Sequence, residues 1–186
     1  MSTSRVHLSP QQIRVLAHPL RSRLLGRLRL DGSATATRLA EALGTNTGAT
    51  SYHLRRLAEV GLVVEEESAG RGRERWWRAA HEVSSWRRDA YADDPDATAA
   101  AEWMEGRQLA YLNERVESWR RAQPGEPEEW RAAADFSDAY LLLDPAQLRA
   151  MTAELDAVIE RYRQAGPGPG ARQVLCYLVA VPRVDS

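Results

Sequence analysis

The sequence is poor in the residues that build metal and redox sites. Its 186 residues include one cysteine, Cys176, and four histidines scattered along the chain, His7, His18, His53 and His81. One cysteine cannot form an internal disulfide and fits a reducing cytoplasm. Because no CxxC or HxxH pair occurs, we expect neither a metal site nor a bound cofactor.

Long apolar runs are also absent. No stretch reaches the length of a membrane span, and the first residues lack the pattern of a signal peptide. We therefore expect a cytoplasmic protein that has no membrane partner. Lysine is missing as well, so all 25 basic residues are arginines, which indicates a GC-rich coding sequence more than any one function.

The sequence offers no constellation typical of catalysis. The glycine-rich run at 166–170, GPGPG, contains prolines and lacks the Lys-Ser/Thr pair of a phosphate-binding loop. The acidic residues of the second half fall on helix faces where a charge run is usually solvated. We therefore assign no catalytic residue and expect that the protein is not an enzyme.

Charge is distributed unevenly along the chain. Residues 1–82 carry 13 arginines against 8 acidic residues, a net charge of +5, whereas residues 83–186 carry 12 arginines against 18 acidic residues, a net charge of −6. This asymmetry favours a first half that meets a polyanion and a second half that does not.

The most informative stretch is 44–61, GTNTGATSYHLRRLAEVG. Gly44 is typical of a residue that closes a helix, and Asn46 is a good N-cap for the next one. In that next helix, apolar positions and Thr50 fall on one face at helical spacing. The opposite face carries Thr47, Ser51, Tyr52, Arg55 and Arg56. Hydroxyl and guanidinium groups in such a row suit a DNA major groove, although an ordinary solvated helix face would carry similar residues.

The residues before this stretch predict three further helices. A capping box with proline at its first helical position, at residues 9–12, opens the first, and Pro19 opens the second. Thr35 caps the third, whose apolar side chains are Leu39, Ala40 and Leu43. Two short helices joined by a glycine-containing turn form a helix-turn-helix, and its second helix usually reads the major groove.

Past Gly61 the pattern changes to that of a β-hairpin. Residues 62–67 and 73–79 read as strands, and the turn between them contains two glycines. Three arginines, Arg71, Arg73 and Arg75, fall at or near the tip. They predict a wing that contacts phosphates or the minor groove, with a solvated hairpin as the alternative.

The order of helices, helix-turn-helix and hairpin resembles the winged-helix domain of ArsR-type bacterial transcription regulators. The resemblance covers about residues 10–82 and is carried by LAHPLRSRLLGRL, TRLAEALG and SYHLRRLAEVGLV. It implies a recognition helix over 46–60 and a wing over 65–78. It also implies the DNA-binding residues Asn46, Thr47, Ser51, Tyr52, His53, Arg55, Arg56, Arg71, Arg73 and Arg75.

Two departures from the family pattern matter here. Gly48 stands where a hydroxyl residue is frequent, and Thr50 replaces a usual aliphatic on the inner face. The metal-sensing members of the family carry cysteines on the helix before the recognition helix, but residues 36–43 contain none. The resemblance therefore does not imply metal sensing for this chain.

The second half reads as a helical or α+β unit. We predict helices over about 98–121 and from Asp144 onward, and strands over 139–143 and 174–181, the latter buried with Cys176 as a core thiol. The first of these helices has apolar groups on two faces, which suits either a second subunit or deep burial. Trp86, Trp103, Trp119 and Trp130 fit a ligand pocket or simple core packing.

These patterns predict a mostly α fold, with a winged helix-turn-helix DNA-binding domain over 1–82 and a dimerisation or effector domain over 83–186. The predicted function is a transcription regulator that binds double-stranded DNA as a homodimer on a palindromic operator, and a small-molecule effector is left open. Two alternatives stay open: a winged-helix protein-interaction module that does not bind DNA, and a regulatory domain fused to an unrecognised catalytic half.

Overall fold

The computed structural model describes residues 5–66 and 74–184, which divide into two compact units. The N-terminal unit ends at Ala110 and the C-terminal unit begins at Tyr111. The helices of the N-terminal unit are α1 (Pro10–Leu16), α2 (Pro19–Leu30), α3 (Ala36–Leu43), α4 (Thr47–Glu59) and the first part of α5 (Pro95–Ala122). Its strands are β1 (Arg5–His7), β2 (Ala34–Thr35), β3 (Val63–Glu66), β4 (Trp76–Ala79) and β5 (Val83–Ser85).

Local signals place the starts of the first four helices, as the sequence predicted. The Ser9 hydroxyl accepts a hydrogen bond from the Gln12 backbone amide, and the Ser9 backbone amide donates one to the Gln12 side-chain oxygen, which completes the capping box of α1. Thr35 caps α3 and Asn46 caps α4. Between α3 and α4, Gly44 has a φ of 63°, a left-handed conformation that glycine adopts without strain.

The predicted hairpin is confirmed, and it belongs to a small three-stranded sheet. β3 and β4 pair antiparallel with Val63 opposite Ala79, and the two-residue strand β2 pairs with the other edge of β4. The sequence did not predict β2, nor the separate parallel pair of β1 with β5. As expected from strand alternation, Trp77 is buried while the neighbouring Trp76 lies on the other face, half-buried.

One apolar core holds the N-terminal unit together. Side chains from all four short helices and from β3 and β4 contribute, and Ile13, Leu24, Leu54 and Leu57 are fully buried. Burying a side chain of this size contributes about 1.5–3 kcal/mol. The helix α4 is therefore fixed on its inner face by several large contacts, which leaves its outer face available.

The core continues past residue 82. A 3₁₀ turn at Arg88–Tyr91 buries Tyr91, whose hydroxyl donates a 2.6 Å hydrogen bond to the Leu8 carbonyl. The first part of α5 adds Ala97, Ala101 and Met104 to the same core. The compact unit therefore reaches Ala110, while the functional division at residue 82 stays a prediction.

The C-terminal unit contains the end of α5, a 3₁₀ turn (Gln123–Gly125), α6 (Glu128–Ala133) and α7 (Pro145–Gln164). The capping box predicted at Asp144 is present, with Gln147 as its partner. The strands predicted over 139–143 and 174–181 are wrong for the single chain, because neither segment is in a strand. The described part of this unit supplies no neighbouring strand with which they pair.

The environment predicted for Cys176 is also wrong. Its thiol is exposed rather than packed in a core, because the segment around it is not covered. Among the described residues, no helix combines the length and apolar character needed to cross a membrane.

Candidate nucleic-acid interface

The helix-turn-helix presents one face of α4 to solvent. Thr50, Leu54 and Leu57 point into the core, which turns the opposite row outward. On that row Tyr52 is 54% exposed, and the side chains of Thr47, Arg55 and Arg56 are also exposed, with Ser51 half-exposed. The structure thus places most of the predicted recognition residues together on one accessible surface.

This surface forms one wall of a cleft of about 520 Å³ between the recognition helix and the wing. The recognition helix contributes Thr47, Ser51 and Arg55, and the hairpin contributes Glu74, Arg75 and Trp77. Residues 35–37, at the start of α3, complete the lining. Hydroxyl and guanidinium groups predominate among the polar side chains, so the cleft offers mainly hydrogen-bond donors that suit phosphate oxygens and base edges.

Two helix N-termini lie at this cleft. α3 begins at Ala36 and α4 begins at Thr47, and both first residues line it. The first amides of a helix lack intrahelical partners and carry a partial positive charge, which favours a nearby anion. Thr37, exposed in the first turn of α3, adds a hydroxyl that sequence reasoning did not assign to the site.

The wing is described only at its base. Arg75 lies 3.6 Å from Glu65 across the β3–β4 pair, and both side chains are well exposed. An exposed ion pair of this kind is weak, so Arg75 is able to exchange Glu65 for a phosphate at small cost. The predicted wing residues Arg71 and Arg73 lie outside the described residues.

A second feature of the wing, a contact with α3, was not predicted from the sequence. The Arg38 guanidinium, on α3, lies 4.8 Å from the centroid of the Trp76 ring. This cation–π contact joins α3 to the wing strand β4 and keeps a positive charge near the cleft. The sequence signal for this contact is the pair of adjacent tryptophans at 76 and 77. Because side chains alternate along a strand, one of the two has to face away from the core.

Two predicted site residues have structural roles in the unbound chain. The Asn46 side-chain oxygen accepts a 2.7 Å hydrogen bond from the Ala49 amide, so this atom caps α4. Arg56 forms an ion pair with Glu59 one turn further along the helix. Arg55 has no acidic partner of this kind among the described ion pairs and is the best-placed arginine of the helix.

His53 lies at the side of α4, against the start of α2. Its ring centroid is 4.4 Å from that of His18, whose Nδ1 accepts a 3.1 Å hydrogen bond from the Leu20 amide as the N-cap of α2. Burial lowers the pKa of both histidines, and the nearby Arg21 guanidinium lowers each further. The proximity of His18 also lowers the pKa of His53. Both rings therefore favour the neutral form.

Among the described residues, no group of three or more His, Cys, Asp or Glu side chains is arranged to hold a metal ion. The arginines, hydroxyls and helix amides that line the cleft suit an anionic surface.

Comparison with known proteins gives the cleft a context. Residues 16–66 match the model of a helix-turn-helix domain, a range that spans α2, α3, α4 and β3. A comparison with curated proteins gave no match.

Several solved structures are similar over most of the chain. One, titled "Possible transcriptional regulator for arsenical resistance", is 28% identical, with 69% of this chain and 98% of that chain covered and a TM-score of 0.33. The adhesin competence repressor of Streptococcus pyogenes is 12% identical, with coverages of 78% and 81% and a TM-score of 0.35. ZitR of Lactococcus lactis in complex with DNA is 16% identical, with coverages of 84% and 77% and a TM-score of 0.29.

The helix-turn-helix match and the hairpin that follows it agree with the order of elements in the structure. The chain therefore carries a helix-turn-helix domain that is followed by the antiparallel β3–β4 pair, which is the arrangement of a winged helix-turn-helix.

Proposed function

We propose that this protein is a sequence-specific, DNA-binding transcription regulator. In this proposal α4 enters the major groove, while the wing contacts the backbone or the minor groove. The observation that carries it is the cleft between α4 and the wing, where Thr47, Ser51, Arg55 and Arg75 meet the N-termini of two helices.

Charge and packing support different roles for the two parts of the chain. The inner face of α4 is buried in the core, so its outer residues are held rigidly enough to be presented to base edges. The residues up to 82 carry a net charge of +5, which supports contact with a polyanion. The acidic remainder, from residue 83, is assigned to dimerisation and to any effector.

The dimer follows from the geometry of winged helices on DNA. One recognition helix covers one half-site, and two copies match half-sites that are spaced by a helical turn. A palindromic operator is the expected target. Sedimentation of the full chain at micromolar concentration tests this part, since a monomer there would contradict the dimer.

A small-molecule effector stays a prediction from the sequence. Of the four tryptophans considered for a pocket, Trp86 and Trp103 pack against the core of the N-terminal unit. In the C-terminal unit, Arg172 lies over Trp130 with its guanidinium carbon 5.0 Å from the ring centroid. These placements support packing roles for three of the four.

The decisive experiment is genome-wide mapping of bound sites, followed by titration of the purified protein with the sites found. We expect specific binding that weakens steeply as the salt concentration rises, because phosphate contacts release counterions. A shuffled duplex of the same length and composition is the control. Equal affinity for both duplexes, or no binding to either, would contradict the proposal and favour a protein-interaction module.

A further inference from the structure

The C-terminal unit leaves a large amount of apolar surface uncovered. None of its described residues, 111–184, is buried. Before α7, residues 136–143 form a first apolar segment, FSDAYLLL, in which Phe136 is 90% exposed and Leu142 is 101% exposed. Isolated apolar side chains are ordinary on a surface, but a contiguous patch marks an interaction site.

A second apolar segment follows α7. Residues 174–181, VLCYLVAV, contain no charge, and the nearest charged residues are Arg172 and Arg183. Val174 and Val181 are each 74% exposed. On α7, the helix between the two segments, Tyr162 is also 73% exposed.

Composition and conformation disagree in these two segments. Residues 139–143 and 174–181 are apolar at successive positions, which is typical of a strand inside a sheet. In the described chain neither segment lies in a strand. Apolar segments of low net charge pair readily with another chain, and natural proteins rarely leave them exposed.

The available area points to a stable partner rather than a transient one. The two segments and α7 together expose thirteen large apolar side chains. At about 100 Å² each they offer roughly 1,300 Å² per chain, against about 800 Å² per partner in a standard interface.

Charge indicates which partner fits. The first segment carries one charge, Asp138, and the second carries none. Such a surface offers no complementary charge to a strongly charged partner, but it meets an identical copy without like-charge repulsion. An isologous dimer needs a patch of this self-complementary kind.

We propose that a second copy of this chain covers residues 136–143 and 174–181, and that both segments become β-strands when the two copies associate. The inference rests on the homodimer of the proposed function and adds the residues that form it. It accounts for the strand pattern in the sequence and for its exposure in one chain with a single cause. Dimerisation and folding of the C-terminal unit are then coupled.

Hydrogen exchange of the full chain tests the coupling without any mutation. We expect amides in 136–143 and 174–181 to be protected at high protein concentration and to lose protection on dilution below the dissociation constant. Amides of Ile13, Leu54 and Leu57, in the N-terminal core, serve as the internal control and should not respond to dilution. Segments that exchange freely at every concentration would overturn the proposal, as would protection that is independent of concentration.

Charge variants of the full chain test the surface. Leu142→Arg and Val179→Arg replace side chains that are 101% and 62% exposed in one chain, so the N-terminal unit should stay folded. We expect each to weaken dimerisation by about tenfold or more, because a charge is then enclosed in an apolar interface. Leu30→Arg, at a 47% exposed position of the N-terminal unit, is the matched control and should sediment as wild type. Unchanged dimerisation in both variants would overturn the assignment.

DNA binding distinguishes this inference from the proposed function. Wild type and both variants are titrated at low salt with a short duplex that contains one half-site. Binding by a monomeric Val179→Arg variant supports both statements. A wild type that dimerises through these segments but ignores DNA contradicts only the proposed function. A wild type that binds DNA with freely exchanging segments contradicts only the inference.

Discussion

At position 50 the recognition helix buries a hydroxyl in an apolar core. Thr50 is fully buried, and its Oγ1 has no hydrogen-bond partner among the described residues. An unsatisfied buried polar group costs about 1–3 kcal/mol, whereas a methyl group in the same place costs nothing to desolvate. The unpaired hydroxyl therefore makes the packing of α4 on the core less stable than an apolar side chain would.

We expect Thr50→Val to stabilise the protein by about 1 kcal/mol, because valine keeps the shape and removes the unpaired hydroxyl. Urea unfolding of the full chain, followed at the N-terminal unit, measures the change. Thr37→Val, at an exposed position of α3, is the control and should change stability little. A destabilised Thr50→Val variant would indicate that the hydroxyl has a partner, such as a bound water.

The histidine pair gives the domain a dependence on pH. Burial, followed by nearby charged groups, lowers the folded-state pKa of His18 and of His53 below the ordinary value for histidine. The charged groups that act on the two rings are cations, Arg21 beside both and Arg56 near Arg21, and a backbone hydrogen bond at His18 raises the pKa of that ring by less than burial and Arg21 lower it. The unfolded chain therefore binds more protons than the folded chain below about pH 6.5.

It follows that this contribution to stability is complete above about pH 6.5 and is lost as the pH falls through the lowered folded-state pKa values. Urea unfolding at about pH 7.5 and about pH 5.5 should show wild type losing stability at the lower pH. His53→Gln should lose less between the same two values. His7→Gln, which changes a ring bonded to Ser85 away from this pair, should lose as much as wild type. Identical losses in all three proteins would contradict the assignment.

At the scale of elements, the sequence predicted what depends on neighbours along the chain. The Ser9 and Asp144 capping boxes and the Asn46 cap join residues within four positions of each other, so each can be recognised from one sequence alone. β2 is two residues long and exists because β4 lies beside it, which no local pattern encodes. Whether residues 174–181 are buried also depends on contacts that are distant in sequence. The prediction of a buried strand there was wrong because no local pattern encodes such contacts.

The residues of the candidate site also fall into those that could be predicted from the sequence and those that could not. Thr47, Ser51 and Arg55 were predictable because helical spacing puts them on one face. Thr37 and the Arg38–Trp76 contact were not, because they belong to the cleft only through the approach of α3 to the wing. The ion pair of Arg56 with Glu59 could have been read from its spacing of three residues.

The two arginines of α4 should contribute unequally to DNA binding. Arg55 lines the cleft, whereas Arg56 is already paired with Glu59. We expect Arg55→Ala to weaken operator binding by about 1–3 kcal/mol and to relax sequence preference, and Arg56→Ala to have a smaller effect. Arg27→Ala, in α2 and paired with Asp31, removes the same charge elsewhere and is the control. If both helix variants bind the operator as wild type does, α4 is not the reading helix.

The wing should act differently, since phosphate contacts carry no sequence information. Arg71→Ala and Arg73→Ala should each weaken binding to all duplexes alike and lower the slope of log affinity against log salt by about 1. Fluorescence anisotropy over a salt series measures both effects on specific and shuffled DNA. A double variant whose slope equals that of wild type would place the wing away from the backbone.

At the scale of the whole molecule, the winged-helix motifs of the sequence end earlier in the chain than the buried core does. The sequence motifs of a winged helix end near residue 82, but the buried core includes Tyr91 and, from α5, Ala97, Ala101 and Met104. Tyr91 also holds the Leu8 carbonyl through its hydroxyl. The segment that follows the wing therefore belongs to the core that holds α4 in place.

This difference predicts how fragments behave. Residues 1–82 lose the burial of Tyr91, Met104 and the small side chains between them, which is on the order of 5 kcal/mol at about 1.5–3 kcal/mol per large side chain. A domain of this size has about 5–15 kcal/mol in total, so we expect this fragment to be largely unfolded or to melt far below the full chain. Residues 1–110 retain the whole core and should melt cooperatively. Thermal unfolding followed by circular dichroism compares the two. Equal melting temperatures would show that the core closes without α5, and the DNA-binding domain would then end at residue 82, as the sequence pattern suggests.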